Sequence, residues 1–535
     1  MHLHGISYAF LNLTFENAAN SCTSSFVSAL CGRFSHDFKN SRTVSLLCAF
    51  VRLIEKKYSL SFLSAYINKE SKLQNLYEKS FLCAVICMIF NSVSKSASFI
   101  CNTVSGFNKN GYVHSALSSA SERGILGFHA IFGLFAVVMI MCPHELWNNI
   151  YAVGAAIFFL LWFMIMYARR HVDFNPGKMN FYAIAFAIFA VLSVFYAYAT
   201  KDGARIVLFL LSALVLCFAA KYALNTEERI ITFVKFLCSA VFVTSIMGIV
   251  QRIMGVEVDP EFVDIASNEG MPGRVFSVFA NPNSFAELLI LGIPFTLGLV
   301  YIAESKREKL LWMLFFSVDI VTLAMTYSRS CYVALVISII FMTIVYDWKF
   351  LIPIGIIALF AVPLLPSTII DRILTTGSMS DTSNSSRLYI WSGAWQVAKR
   401  YFLSGVGAGP INFAAYYKPF ANHYYVSAPH SHMLYMELII EFGIFGALSF
   451  FAYFVSVIKR GLSCVSHASK KMCAVSSAAM GSLVGMLFVF GVEYVWFYSR
   501  DMFVYWTVLG ILGATNLIAG KNRGNMRLGQ TEIRR

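Results

Sequence analysis

Charged residues are scarce in this sequence. Only 13% of its 535 residues are Asp, Glu, Lys or Arg, while 58% are hydrophobic. A soluble globular protein is roughly a quarter charged, so the composition excludes a soluble enzyme, a disordered chain and a coiled coil. The apolar residues occur in long runs, which is typical of a protein that crosses a membrane several times.

Paired cysteines are also missing. The twelve cysteines form no CxxC pair, and the polar stretch after residue 366 contains none before Cys464. This pattern predicts neither a disulfide framework nor a zinc site. The start of the chain lacks a basic flank followed by an apolar run, so no cleavable signal peptide is expected.

Acidic residues are the minority among the charges. The sequence has 42 Lys and Arg against 28 Asp and Glu, for a net charge of +14. Such a balance is also common in nucleic-acid-binding proteins. Here most of the surplus lies in loops between apolar runs, as the positive-inside rule describes for cytoplasmic loops. We therefore expect membrane lipid, and not nucleic acid, around this protein.

Residues 1–125 contain no long apolar run and are rich in Ser and basic residues. The runs 44–54 and 81–90 are shorter than the roughly 20 residues that a membrane-spanning helix needs. The sequence therefore predicts a cytoplasmic or membrane-surface region with amphipathic helices. An extension created by a mis-assigned start codon is the alternative.

Residues 126–519 are predicted to form an all-α, polytopic transmembrane domain, followed by a basic cytoplasmic tail at 520–535. Only helices can satisfy the backbone of such apolar segments in lipid. Because strongly basic loops alternate with loops that are poorer in Lys and Arg, such as 143–149 and 493–499, which have none, both termini are expected in the cytoplasm. The twelve predicted spans are 126–142, 150–167, 181–198, 206–224, 230–250, 285–301, 310–327, 332–346, 350–365, 433–457, 473–492 and 503–518.

This orientation places the largest polar insertion, residues 366–432, outside the cytoplasm. Loops of this length are commonly functional. Within it, residues 386–403 predict an amphipathic helix. Gly405, Gly407 and Gly409 predict a tight turn and not a nucleotide-binding loop, because they follow no strand and no Lys accompanies them.

Three predicted spans begin at the outer face. Asn281 and Asn283 precede one, Arg329 opens the second and His432 precedes the third. Helix N-termini carry positive partial charge and N–H donors, which favour phosphate. Guanidinium groups of Arg329 and Arg387 would add paired donors for a pyrophosphate. Taken singly, each arginine has an equally good ordinary interpretation, in lipid headgroups or in solvent.

His432 is the candidate general base. The positive end of a helix favours a neutral imidazole, as a base needs near neutral pH. A metal pair with His430 is disfavoured because no Asp, Glu or Cys completes it. A structural histidine is the main alternative.

Ionisable residues within the predicted spans are further candidates, since each costs about 2.5–3.5 kcal/mol to insert. Glu437 and Glu441 share one helix face, and Glu287 lies one turn below Asn283; these carboxyl groups are expected to line a polar vestibule. The alternative is a set of buried groups bonded to neighbouring helices, and for Asp319 that alternative is favoured.

Several short motifs follow one another in a characteristic order. They are Asn281-Pro282-Asn283 with Ala286, Thr326-Tyr327-Ser328-Arg329-Ser330, Arg387 with Trp391, Gly405-Val406-Gly407-Ala408-Gly409 with Phe413, and His432 with Phe442, Gly443 and Gly446. Through them, residues 274–446 resemble the O-antigen ligase and O-antigen polymerase superfamily of bacterial membrane glycosyltransferases. The family fold is all-helical, usually with about twelve spans and one large external loop.

The resemblance implies transfer of a glycan from undecaprenyl pyrophosphate to a glycan, lipid or wall acceptor at the outer face of the cytoplasmic membrane. Capsule or exopolysaccharide synthesis is the expected context, with other polysaccharide-assembly proteins nearby and no cofactor or metal. The family's essential arginines map onto Arg329 and Arg387, with Arg274 a weaker third candidate. Its essential histidine maps onto His432, which would accept the proton of the acceptor hydroxyl.

The sequence departs from the family pattern at Met433, where Asn, Ser or Gln usually follows the histidine. His430-Ser431 also satisfies that local pair, although the distance to Gly443 favours His432. A transporter, which Asp319 favours, and a non-catalytic scaffold, which Met433 allows, are the alternative functions. Aromatic residues in the loop are expected to stack on sugars or to anchor it at the membrane surface: Trp391, Trp395, Tyr416, Tyr417, Tyr424 and Tyr425.

Overall fold

The structure is a computed structural model. It describes residues 72–107, 128–168, 174–256, 273–361, 382–422, 427–465 and 468–533, together with positions 172, 367 and 370. The chain divides into Met1–Glu70 and Ser71–Arg535, and every described residue belongs to the second unit. The predicted run at 44–54, Tyr424 and Tyr425 lie outside the described residues.

The described part of the chain is all-helical, as its sequence predicts, and contains no strand. Its helices are α1 Lys72–Glu78, α2 Phe81–Phe107, α3 Phe128–Met141, α4 Asn149–Ala168, α5 Phe181–Ser193, α6 Thr200–Ala223, α7 Glu227–Ile253, α8 Pro282–Ile302, α9 Lys306–Met325, α10 Arg329–Asp347, α11 Leu351–Ala361, α12 Thr382–Arg400, α13 Pro410–Tyr417, α14 Leu434–Val465, α15 Lys470–Phe490 and α16 Ser499–Ile533.

Nine candidate membrane spans are found among the described residues, judged by helix length and composition. The apolar helices α3 and α5 are shorter. The sequence predicts separate spans at 332–346 and 350–365, but α10 and α11 contribute to one candidate span, Arg329–Ile356, because only the 3-10 turn Trp348–Phe350 separates them. The count of about twelve spans therefore stays a prediction.

Helix α2 differs from the expectation for residues 81–90. It runs on to Phe107, and Phe81–Phe99 is long and apolar enough to be a candidate span. Polar residues follow the apolar run in the sequence. The helix accommodates them because some of their side chains form hydrogen bonds with backbone carbonyl groups of the protein. Ser94 is 2% exposed and its hydroxyl donates to the carbonyl of Met164 in α4 at 3.1 Å.

The centre of the fold is the contact between α8, α10 and α15. Gly481 and Gly485, four residues apart in α15, lie directly against the α10 backbone; a Cβ at either position would come within 2.7 Å of the carbonyl oxygen of Ser338 or Ala334. Small residues at this spacing allow helices to approach closely in a membrane. The packing fixes the start of α10, with Arg329, relative to the end of α15.

Helix α14 is broken at Gly443, and the glycine-rich turn Gly405–Gly409 fills the break. Gly443 has φ 69°, a left-handed conformation that favours glycine. The N–H of Val406 donates to the carbonyl of Ile440 at 2.7 Å, and the N–H of Ile444 donates to the carbonyl of Phe402 at 2.8 Å. The turn thus satisfies backbone groups that a broken membrane helix would leave unbonded.

Helix α12 occupies the predicted amphipathic segment, and large apolar residues in and just after it are exposed. Leu388, Trp395 and Phe402 are 43%, 50% and 44% exposed. The buried side is made of small and branched residues, Ile390, Gly393, Ala394, Val397 and Ala398. At Gly393 a Cβ would lie 2.7 Å from the Tyr417 ring, so the absence of a side chain there lets α13 pack against this face.

Candidate functional site

The starts of α8, α10 and α14 meet at one end of the helical bundle. Arg274 ties the start of α8 to the turn between α9 and α10, since its Nη2 donates to Asn283 Oδ1 at 2.6 Å and its Nε donates to the carbonyl of Thr326 at 2.8 Å. The N–H of Leu434, the first residue of α14, donates to the carbonyl of Glu493 at 3.2 Å. The starts of α8 and α14 therefore both contact Glu493 of the loop 491–498, and Arg274 holds the turn before α10 next to the start of α8.

Glu493 lies at the centre of this convergence. Its carboxylate accepts a hydrogen bond from the guanidinium of Arg387, and Asn283 Nδ2 donates to its Oε1 at 3.2 Å. Its Oε2 lies 3.5 Å from Nδ1 of His432. This last distance suits an ion pair and is long for a hydrogen bond. The Glu493 carboxylate thus links the candidate arginine of α12 to the candidate histidine.

The charge of Glu493 is stabilised by its neighbours. Burial by itself would raise the pKa of this carboxyl, but the Arg387 guanidinium and the two nearby imidazoles outweigh burial and lower the pKa to about 2. Glu493 is therefore ionised at any physiological pH. A fixed negative charge faces Nδ1 of His432.

His430 and His432 have different environments. His430 is 7% exposed, its Nδ1 accepts from the backbone N–H of His432 at 3.1 Å, and burial together with His432 lowers its pKa to about 3. The His432 side chain is 31% exposed. His430 consequently acts as a neutral anchor of the turn, while the imidazole of His432 is the accessible one.

Left-handed backbone occurs beside each of the three helix starts. His432 has φ 52°, Tyr327 has φ 53° and Ser277 has φ 54°. This conformation is uncommon for residues other than glycine, and where the surrounding structure enforces it, it is often found at functional sites. The turn at His432 also directs Met433 toward the apolar cluster formed mainly by α12 and α13, against which Met433 packs.

Comparison with known proteins supports the resemblance seen in the sequence. A family model described as O-antigen ligase matches residues 311–451. Residues 311–451 therefore resemble an O-antigen ligase domain. This match supports the O-antigen ligase and polymerase superfamily and, with it, a membrane enzyme of the glycan ligase or polymerase kind. No match is found among curated proteins.

The O-antigen ligase match includes Arg329, Arg387 and His432 but not every residue of the site. Arg274 and Asn283 precede it, and Glu493 follows it. The sequence gives a weak signal for Glu493, a charged residue in a short loop between two late spans. The sequence does not identify Glu493 as a site residue, because nothing in that loop indicates that its side chain lies next to His432.

Three other predicted site residues lie at or near the starts of α8 and α10. Arg329 is 9% exposed and opens α10, three residues after Thr326. Asn281 caps α8 and its Nδ2 donates to the hydroxyl of Tyr498 at 2.9 Å. Glu287 is buried one turn into α8, within electrostatic reach of Glu493.

Glu437 and Glu441 are buried and bonded, as the alternative to a vestibule predicts. Both are 1% exposed. Asp319 is fully buried and its Oδ1 accepts from the hydroxyl of Ser245 in α7 at 2.7 Å. This contact agrees with the structural role favoured for Asp319.

The described aromatic residues of the segment 366–432 are mostly packing residues. Tyr417 is fully buried, so the expectation that its ring could stack on sugar is wrong; the ring is part of the α12–α13 core and stacks on Phe413. Trp391 packs against the same core, and Tyr416 pairs with Tyr401. Trp395, half exposed beside Lys399, keeps an accessible ring.

Proposed function

We propose that this protein is a glycosyltransferase that moves a glycan from undecaprenyl pyrophosphate to a hydroxyl acceptor at the outer face of the bacterial cytoplasmic membrane. The observation that carries the proposal is the Arg387–Glu493–His432 group among three helix N-termini. An imidazole held by a carboxylate suits proton removal. Arginines and helix N-termini suit a pyrophosphate.

In the proposed reaction, the acceptor oxygen attacks the anomeric carbon of the lipid-linked sugar. The bond from acceptor oxygen to carbon forms, the bond from carbon to phosphate oxygen breaks, and the hydroxyl proton passes to His432. Because Nδ1 of His432 faces Glu493, Nε2 is the ring atom that would meet the acceptor. Catalytic hydrogen bonds commonly shorten when substrate binds, which would tighten the 3.5 Å contact with Glu493.

The leaving lipid pyrophosphate would be stabilised by Arg329 and Arg387. Arg274 has a different role in this proposal. Its guanidinium holds Asn283 and the carbonyl of Thr326, and so it fixes the helix starts that face the pyrophosphate. Cationic groups placed where negative charge develops supply a large part of catalysis in such sites.

Because protein cations and helix dipoles supply the positive charge, we propose a reaction that needs no metal and no cofactor. Transfer is expected to continue at full rate after treatment with EDTA and removal of divalent ions. A complete loss of transfer that added Mg²⁺ or Mn²⁺ restores would contradict this part of the proposal. The measurement is the rate of glycan product formation in matched buffers.

The outer location of the site is supported by the charges at the opposite end of the bundle. There Lys471 pairs with Glu304, and Lys235 pairs with Glu308 at 2.8 Å, near the basic residues Lys306, Arg307 and Lys309 of the first turn of α9. Basic residues concentrate on the cytoplasmic side of membrane proteins. The site, which lies at the other end of α8, would then face away from the cytoplasm.

The function can be tested with the full-length protein in lipid vesicles that contain an undecaprenyl-pyrophosphate-linked oligosaccharide. Formation of a longer or newly attached glycan, with release of undecaprenyl pyrophosphate, is the expected result. Movement of the intact donor across the bilayer without a new glycosidic bond would indicate a transporter. Vesicles with neither product nor transport, when donor and several acceptor classes are supplied, would contradict the proposal.

A further inference from the structure

Two buried carboxyl groups lie directly beneath the site on one face of α14. Leu434, Glu437 and Glu441 occupy positions i, i+3 and i+7, which share a face of a helix. The N–H of Leu434 holds the carbonyl of Glu493. The two glutamates lie on the same face as Leu434 but deeper in the bundle, and each is 1% exposed.

Each glutamate binds a different segment of the site. Glu437 Oε2 accepts from the N–H of Ser431 at 2.8 Å, between the two histidines. Glu441 Oε1 accepts from the N–H of Gly409 at 2.9 Å and from the hydroxyl of Tyr494 at 3.0 Å. Neither contact belongs to the regular hydrogen bonding of α14. Glu437 binds the turn just before α14, whereas Glu441 holds two residues that are distant from it in the sequence, Gly409 and Tyr494.

Tyr494 is the residue that follows Glu493. Its hydroxyl lies between both carboxylate oxygens of Glu441, at 3.0 and 3.1 Å, and its ring contacts His430 with centroids 5.5 Å apart. Burial and the nearby glutamates raise the pKa of Tyr494 well above its usual value, so the phenol keeps its proton and donates. The loop 491–498 is thereby attached to α14 at Leu434 and again at Glu441.

We propose that Glu441 and Tyr494 are a positioning pair for glycan transfer, which sets where the Glu493 carboxylate meets Arg387 and His432. The inference rests on the proposed function. Through Gly409, the same carboxylate also fixes the turn that follows α12, the helix that carries Arg387. A single buried group thus holds both sides of the Arg387–Glu493 contact, and neither member of the pair touches substrate.

The substitution Tyr494→Phe tests this inference because it removes the hydroxyl and leaves the ring. Displacing a catalytic group by about 1 Å costs up to roughly 100-fold in rate. We expect kcat to fall by about 10- to 100-fold while KM for the lipid-linked donor changes less than about twofold. The control is Tyr435→Phe, which also removes a phenol hydroxyl. The Tyr435 hydroxyl donates to the backbone carbonyl of Leu487 at 2.6 Å.

A second variant separates positioning from general loss of structure. Glu441→Gln should lower kcat as Tyr494→Phe does, and the double variant should lose little more than either single one, because both act on one contact. Asp319→Asn, at a buried carboxyl bonded to Ser245, is its control. Thermal unfolding in detergent gives the folded fraction of every variant.

The outcomes separate this inference from the proposed function. If the wild-type protein transfers glycan and Tyr494→Phe has the same kcat as Tyr435→Phe, the positioning role is wrong. It is equally wrong if the loss of activity follows only the loss of folded protein. If the wild-type protein catalyses no transfer, the proposed function fails and this inference fails with it.

Discussion

Glu493 is the residue on which the candidate site depends most directly. It pairs with Arg387 and faces His432, so its charge serves two groups at once. A carboxylate that faces a histidine sets which ring nitrogen carries a proton. A carboxylate that pairs with an arginine fixes the direction of the guanidinium. Loss of this single charge should therefore disturb both halves of the site.

The substitution Glu493→Gln keeps the shape of the side chain and removes its charge. We expect glycan transfer to fall on the order of 100-fold, since His432 and Arg387 lose their common partner. The rate of product formation at saturating donor is the measurement. Glu145→Gln, at an exposed residue of the short loop before α4, is the matched control; equal rates for the two variants would contradict the role of Glu493.

The buried imidazole of His430 predicts a dependence of stability on pH. Its pKa is lowered from the usual 6.5 to about 3, so the folded state binds fewer protons than the unfolded state in this range. The contribution of neutral His430 to the free energy of unfolding is fully present above about pH 6.5 and is lost as the pH falls toward 3. Glu493, whose pKa falls from 4.5 to about 2, acts the same way only below about pH 4.5.

We therefore expect the unfolding temperature in detergent to drop between pH 7 and pH 5, and to drop less in His430→Asn. The Asn side chain can still accept the N–H of His432 but has no proton to gain. Unfolding curves at several pH values in this window provide the measurement. Parallel pH dependences for the wild-type protein and the variant would show that burial of His430 is not the cause.

At the scale of single residues, the sequence identifies some members of the candidate site and not others. Arg387 and His432 could be proposed because guanidinium and imidazole groups at helix starts have a clear chemistry, and because of the family resemblance. Glu493 and Tyr494 could not, since their role depends on how α15 and α16 pack beside α14. Contacts between segments so distant in the chain leave no local pattern in the residues.

Among the elements, the break in α14 and the turn that fills it are the most specific feature. The three glycines of the turn have φ of 70°, 92° and 103°, in the left-handed region open mainly to glycine. The sequence predicts a tight turn there, which agrees with the structure. It does not reveal that the turn enters a broken helix, because Gly443 within an apolar run looks like an ordinary helix residue.

The substitution Gly443→Ala tests the importance of this junction. A Cβ there would collide with the carbonyl oxygen of Leu403, and left-handed backbone at a residue other than glycine costs about 1–3 kcal/mol. We expect the unfolding temperature to fall by several degrees and transfer to decrease. Gly154→Ala in α4, where no atom lies within 4 Å of the added Cβ, should be neutral or slightly stabilising. Similar losses in both variants would contradict this account.

At the scale of the whole molecule, the sequence predicts the helical class well because lipid permits little else for its apolar runs. It predicts individual spans less well. Helices α10 and α11 form one candidate span instead of two, and α2 extends far beyond the run at 81–90. In the sequence, polar residues such as Ser94 argue against a membrane-spanning helix. In the structure, the hydroxyl of Ser94 is hydrogen-bonded to a carbonyl of a neighbouring helix, so the residue is compatible with such a helix.

The orientation of the molecule can be tested in intact cells. In a variant without native cysteines, His144→Cys should react with a maleimide that does not cross membranes, because the start of α4 lies at the site end of the bundle. Lys306→Cys, at the start of α9, should react only after the membrane is opened. Labelling in the reverse order would place the Arg387–Glu493 contact on the cytoplasmic side.

The central claim is that His432 and Arg387 carry glycan transfer at one shared site. The most direct measurement is transfer from undecaprenyl-pyrophosphate-linked glycan by His432→Ala and Arg387→Ala in vesicles, with His144→Ala and Arg400→Ala as controls at exposed positions. We predict a loss on the order of 100-fold or more in both site variants, with normal membrane insertion and near-normal rates in the controls. Wild-type product levels from either site variant would contradict the account.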